Sequence, residues 1–213
     1  MLGALVVLGA AAVSVAGIKS PTEEDRPPGE HSVDVGFARD MGIHHAQAVL
    51  LADLVRDRTD DEEVRRLASD ISHTQQAQIG EMRGWLDAWG RPPTTVRPPM
   101  QWMGHGLAAG ERMPGLASDA EVASLTEAKG KAAEVLFLQL MIRHHEGGRH
   151  MAEVASSSAD EPFVRALARG MVETQTAEVR YMQDLLRARG VRYGGEPGNP
   201  SDERNDDTPP VSA

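Results

Sequence analysis

Apolar and polar positions fall along the chain in three regimes. Residues 2–18 form an apolar run of Leu, Val, Ala, Gly and Ile broken only by Ser14. Such a run lies at the lower limit for a spanning helix, which takes roughly 20 apolar residues, and also fits the apolar part of a signal peptide. Ser14-Val15-Ala16 supplies small residues for cleavage, although the usual basic stretch before the run is missing. Residues 1–18 are therefore expected to be a signal peptide or a membrane anchor, with the rest exported. Residues 19–32, with Pro21, Pro27, Pro28 and Gly29 among several acids, suit neither helix nor core strand and read as a tether. From residue 33 to 190 the apolar positions recur at helical spacing, and residues 191–213, rich in Gly, Pro, Asp and Ser, read as a disordered tail.

The helical region repeats itself. Residues from Asp34 onward align without a gap on those one hundred positions later: Phe37 with Phe137, Met41 with Met141, His44-His45 with His144-His145, and Ala52 with Ala152. The register persists through Leu67-Ala68, Thr74-Gln75, Met82, Leu86 and Gly90, matched by Leu167-Ala168, Thr174-Gln175, Met182, Leu186 and Gly190. A helical hairpin leaves one apolar face open and a second copy covers it, so the pattern predicts a four-helix bundle of two duplicated hairpins. Repeat 1 covers about 34–90, a connector 91–130, and repeat 2 about 134–190. Thr59 with Glu62 reads as a capping box, Asp160 ahead of Pro162 as the start of the last helix, and Gly90 and Gly190 as stops. Ser118 with Glu121 caps a short helix within the connector.

Composition agrees with an all-α fold. Only 4% of the 213 residues are aromatic, while Ala, Leu, Met, Glu, Gln and Arg, which favour helices, are abundant. The net charge of -10 and the lack of a basic cluster argue against a nucleic-acid partner. With no cysteine, disulfides and thiolate sites are excluded, and any metal must be held by His, Met, Asp or Glu. No nucleophile elbow or phosphate-cradling loop is present, so no catalytic residue and no organic cofactor are assigned.

The duplicated polar residues carry the candidate chemistry. At about 100° per residue, Asp34, Met41 and His45 share a sector of the first helix, with His44 at its edge, and Glu134, Met141, His145 and His144 repeat the arrangement. Two-fold packing is expected to turn both sectors inward, where imidazole, carboxylate and thioether converge as metal sites in bundles require. His45 and His145 are preferred, because adjacent side chains diverge on a helix, leaving His44 and His144 to support them. The same histidines also fit a structural role, hydrogen-bonded across the bundle in an envelope interaction module without a ligand. Weaker candidates are Glu146 with His150, four apart on one face, and the Met100, Met103 and His105 cluster of the connector, whose thioethers suit Cu(I) outside the reducing cytosol. Met100 and Met103 equally suit the covering of an open bundle end. Gly147-Gly148 implies a close approach to that helix. Asp70 and His73 have the spacing of a di-iron ligand pair, but Gly170 and Glu173 at the matching positions do not complete such a site.

Asp34-x-x-Phe37-x-x-x-Met41-x-x-His44-His45, then Gln75 with Met82-x-x-Trp85-Leu86, then Phe137-Leu138-x-x-Met141-Ile142-x-His144-His145-Glu146-Gly147 resemble the bacterial domain-of-unknown-function family 305. The resemblance runs from about Asp34 to Gly190 and includes Met113-Pro114-Gly115-Leu116. It implies an extracytoplasmic, ferritin-like four-helix bundle, and some relatives are associated with copper binding and copper tolerance. Copper is accordingly the expected metal, and a membrane contact through residues 1–18 is expected if they are retained. Two departures stand out: Glu134 replaces the Asp of the pattern, and Gly148-Arg149 replaces a more apolar continuation.

Overall fold

The structure is a computed structural model and describes residues 26–194. The apolar run at 2–18 and most of the C-terminal tail lie outside the described residues. The chain folds into α1 (Val33–Arg56), α2 (Glu62–Ala88), a 3-10 turn at Gln101–Met103, α3 (Asp119–Glu127), α4 (Gly130–Ser158) and α5 (Pro162–Ala188). No strand occurs among the described residues, as the composition predicts. No described helix is long and apolar enough to cross a membrane.

The helix ends follow local chemistry, with two corrections to the sequence reading. Asp61, not Thr59, caps α2, its carboxylate accepting from Val64 N at 2.9 Å. Thr59 lies two residues too early; its hydroxyl accepts from Asp61 N and donates to Glu134 at 2.6 Å. α5 starts at Pro162, whose missing N–H costs nothing there, and Glu161 rather than Asp160 occupies the cap position without a side-chain bond. The free backbone N–H groups of Asp160 and Glu161 donate instead to the Asp34 carboxylate, at 3.2 and 2.9 Å. Ser118 and Glu121 form the expected capping box on α3.

Both long hairpins end in the same way. Gly90 and Gly190 are left-handed, with φ of 65° and 77°. Arg91 N donates to Leu86 O and Val191 N to Leu186 O, while each glycine N–H reaches the carbonyl three residues back. This paired bonding is the Schellman closure, which glycine adopts without a Cβ penalty. The duplication thus extends to the backbone of the helix stops.

α2 packs on α1 and α5 on α4, and the hairpins meet through α1 and α4, with α3 lying against both. The apolar interior is divided in two. One cluster takes Ala48, Leu51 and Val55 from the end of α1 and Phe137, Leu138 and Met141 from the start of α4. The other takes Val35, Phe37 and Met41 from the start of α1 and Met151, Ala152 and Ala155 from the end of α4. The two central helices therefore cross antiparallel, and the His-His pairs fall in the layer between the clusters. Phe37 and Phe137 are fully buried, one in each cluster, and each contributes about 1.5–3 kcal/mol of transfer free energy.

The connector crosses α4 as a strap at closest range where α4 has no side chain. A Cβ on Gly147 would lie 2.1 Å from Pro114 O, and one on Gly115, where φ is 82°, would lie 2.5 Å from Arg143 O. The close approach read from Gly147-Gly148 is thus made by the strap at the first glycine. Gly148 gives room to the Gln175 amide and the His44 ring, 2.9 and 3.2 Å from a Cβ placed there.

Candidate metal centre

Midway along the bundle, His44, His45, His144 and His145 are all fully buried. The His44 and His144 rings face one another with centroids 3.9 Å apart, and each ring lies 6.5 or 6.1 Å from its own neighbour, His45 or His145. The residues that meet across the two-fold are therefore His44 and His144. Helical angle alone favoured His45 and His145; the crossing point of α1 and α4 brings the other pair together.

Each imidazole is oriented through Nε2. His44 Nε2 lies 3.0 Å from Pro114 O in the strap, and His144 Nε2 lies 2.9 Å from His44 O. Carbonyl oxygens only accept, so these Nε2 atoms carry the proton and the matching Nδ1 atoms carry a lone pair. His145 Nε2 is 2.7 Å from Glu178 Oε2, and His45 Nε2 is 2.8 Å from Gln78 Oε1, so these Nε2 atoms donate as well. All four Nδ1 atoms are buried without a hydrogen-bond partner, as are Oε1 of Gln75 and Gln175. An unsatisfied buried acceptor costs about 1–3 kcal/mol.

Burial also keeps His44, His45 and His144 neutral. Desolvation lowers His44 to about 4 and His45 to about 3, and it holds His144 well below the ordinary histidine value. The like charges that the rings would carry if protonated act in the same direction. Neutral imidazoles with an open Nδ1 lone pair have the protonation state that metal ligation needs.

The other sequence candidates are placed differently. Asp34 and Glu134 stand about 16 Å along their helices from His45 and His145, because eleven residues rise at 1.5 Å each. They lie at opposite ends of the bundle, where each ties down the inter-helix loop of the other hairpin. Asp34 holds the α4–α5 loop; Glu134 accepts from Thr59 and from Arg189, whose Nε is 2.7 Å away. Their common helical angle carries no information on this axial distance. Met41 and Met141 are fully buried, one turn before His45 and His145, but in different apolar clusters. Met100 is buried in the core, Met103 is half-buried, and His105 is exposed on the connector. Glu146 and His150 are exposed on the outside of α4, and Tyr193 Oη donates to Glu146 at 3.2 Å. Among the described residues, no three His, Asp or Glu side chains converge in a metal-binding group.

Gln75, Gln78, Gln175, Glu178 and Pro114 were not singled out from sequence as site residues. The available signal was the amide pair Gln75/Gln175, repeated on otherwise apolar stripes that include Ala68 and Ile71 on α2 and Ala168 and Met171 on α5. These residues line a slot between α2 and α5 with a volume of about 10 Å³, bordered by Thr74 and Thr174. Gln78 and Glu178, the partners of His45 and His145, are in its wall.

Comparison with known proteins agrees with this architecture. A candidate secreted DUF305 protein from Streptomyces coelicolor is 52% identical with a TM-score of 0.75, covering 79% of this chain and 100% of that one. A DUF305 fragment from Deinococcus radiodurans is 36% identical with a TM-score of 0.64, covering 76% and 99%. CopM in its Cu(II)-bound form is 24% identical with a TM-score of 0.60, covering 73% and 97%, a likeness of fold alone. No curated protein matches the chain. The model of the family "Domain of unknown function (DUF305)" matches residues 34–186, and the protein, with its duplicated His-His hairpins, belongs to that family.

Proposed function

We propose that the protein is an extracytoplasmic metal-binding bundle whose cargo is copper, taken up in the layer of His44, His45, His144 and His145, whose open Nδ1 atoms are donors that must draw together to share an ion. The observation that carries this reading is the set of four buried Nδ1 atoms without a partner, each on a ring whose Nε2 is already engaged. A purely structural layer gains nothing from leaving those acceptors unsatisfied, whereas a metal ion uses them. Imidazole nitrogen suits copper, and Met41 and Met141, one turn away, supply softer donors for Cu(I). Glu178, Gln78 and the Pro114 carbonyl are the outer groups that fix ring orientation. Asp34 and Glu134 are assigned to the bundle ends, and His150, Glu146, Met100, Met103 and His105 remain subsidiary copper candidates.

Two likenesses support the reading: CopM, of the same fold, has been solved with Cu(I) and Cu(II) bound, and the Streptomyces relative is a candidate secreted protein. Titration with Cu(I) and Cu(II) against a competing chelator tests it. Saturable binding is expected, lost in both the His44→Ala/His144→Ala and the His45→Ala/His145→Ala variants while helicity persists. Unchanged binding in both variants would remove the core site. A second reading, an envelope interaction module with structural histidines, draws on the complete engagement of the Nε2 atoms. It predicts no saturable copper binding and no thermal stabilisation by copper.

A further inference from the structure

A cavity of about 360 Å³ lies between the start of α1 and the connector, and none of the four layer histidines lines it. Asp40 lines it and is 6% exposed. One carboxylate oxygen, Oδ2, accepts from Met100 N at 2.7 Å and from the Trp102 indole Nε1 at 2.8 Å. No hydrogen bond or ion pair reaches Oδ1 among the described residues, and Oδ1 is not among the sealed unsatisfied atoms of the interior. Burial pushes the Asp40 carboxyl up.

The neighbouring charges do not neutralise this oxygen directly. Arg39 spends its guanidinium on Glu30, through NH1 and NH2, and on Pro92 O, through Nε at 2.7 Å. Arg97, also in the lining, contacts His31 at the exposed margin. The Trp102 indole forms one wall, lying so close over Gly36 that a Cβ there would sit 2.5 Å from it, and it meets the Phe37 edge at 5.8 Å. Met100, whose N–H bonds Asp40, is left-handed with φ 68°, a strain of about 1 kcal/mol or more that the carboxylate holds in place.

The duplication provides an internal control. The positions one hundred residues after Gly36, Arg39 and Asp40 are Leu136, Gln139 and Leu140. The second copy thus has Leu140 where the first places the Asp40 carboxylate beneath an indole and a cavity. Holding the strap needs only one acceptor, which a neutral amide supplies at lower desolvation cost. The second carboxylate oxygen and its charge are left for a ligand.

We propose that this cavity binds a small molecule bearing a protonated primary amine, with an ammonium N–H donating to Asp40 Oδ1 and the Trp102 face covering the cation. The site shares no residue with the histidine layer, although His105, a subsidiary copper candidate, is in its lining. Asp40→Asn retains an oxygen for Met100 N and Trp102 Nε1 while turning the open position into a donor. Thr95→Phe, at an exposed lining residue, obstructs the cavity and leaves Asp40 untouched.

The test is titration of the full chain with n-butylammonium chloride, followed by the Trp102 indole N–H signal in NMR, with tetramethylammonium chloride as a cation lacking an N–H donor. The expected result is a saturable Trp102 shift with butylammonium, at least tenfold weaker with tetramethylammonium, and absent in Thr95→Phe and in folded Asp40→Asn. If Asp40→Asn does not fold, loss of the shift in Thr95→Phe supports the site. No saturable shift, an equal response to both cations, or an unaltered response in Thr95→Phe would overturn it.

Discussion

The α1–α2 and α4–α5 hairpins are the same design twice, and where they differ is as informative as where they agree. Both put a phenylalanine, a methionine and two histidines on the central helix, and both close on a left-handed glycine. The copies part at the histidine partners: His45 meets a neutral amide, Gln78, whereas His145 meets a carboxylate, Glu178. They part again at the ends, where Asp34 binds two backbone N–H groups and Glu134 joins a network with Thr59 and Arg189. Shared residues build a symmetric layer of buried rings; the unshared ones give that layer one carboxylate neighbour and the bundle two unequal clasps.

The largest expected effect probes what the copies share. His44, His45 and His144 have lowered folded values, so they bind fewer protons when folded than when unfolded, where histidine titrates near 6.5. Stability from this source is fully present above pH 6.5 and falls as pH drops from 6.5 toward about 4 and 3. Each ring contributes a slope of up to about 1.4 kcal/mol per pH unit. Urea denaturation of metal-free protein at pH 7 and pH 5 should differ by several kcal/mol; equal stability would show that the rings are not held neutral.

Next come the clasps. Arg189 is largely buried against Glu134, so Glu134→Ala leaves a buried cation short of a partner and should cost about 3 kcal/mol. Arg189 keeps Asp61 at 2.7 Å, which limits the loss. Asp34→Ala removes only a cap-like acceptor and should cost about 1 kcal/mol. Equal losses in urea melts would break the distinction.

The strap also reads the copies differently. Gln47 binds Ala117 through both its amide oxygen and nitrogen, at 2.6 and 2.9 Å, while its counterpart Gly147 lies against the Pro114 backbone. Gly147→Ala meets backbone that cannot rotate away and should destabilise by about 2 kcal/mol. A thermal melt unchanged by this substitution would place the strap elsewhere.

The smallest effect concerns the one anionic partner. Glu178→Gln gives His145 the neutral partner that His45 has and should weaken copper binding by about tenfold, with little change in fold stability. Gln78→Glu should move affinity the other way. A shared null result would leave the asymmetry without a role in metal binding.

Fold and site were unequally legible in the sequence. The hundred-residue register revealed two hairpins because helix-buried positions constrain side chains strongly, and it extended to Gly90 and Gly190, which need φ above zero. The histidines were legible as a repeated pair. Their partners were not, because helical angle locates a face and carries no information on depth along the axis. That is why Asp34 and Glu134 shared a sector with His45 and His145 yet lie at the bundle ends. The Pro114 carbonyl was hidden for another reason: a backbone acceptor from a connector leaves no side-chain signature. Thr59 was read as a cap because a Thr–Glu spacing fits the pattern, but Asp61 stands next to the first helical residue and takes the bond.

The most direct test of the account is nitrogen-15 NMR of the four imidazoles, before and after one equivalent of Cu(I) is added anaerobically. Before addition, His44, His45, His144 and His145 should all show a protonated Nε2 and a bare Nδ1; afterwards the Nδ1 resonances should shift while Nε2 stays protonated. Nδ1 signals unmoved by copper, or a protonated Nδ1 in the metal-free protein, would contradict the assignment of this layer as the metal centre.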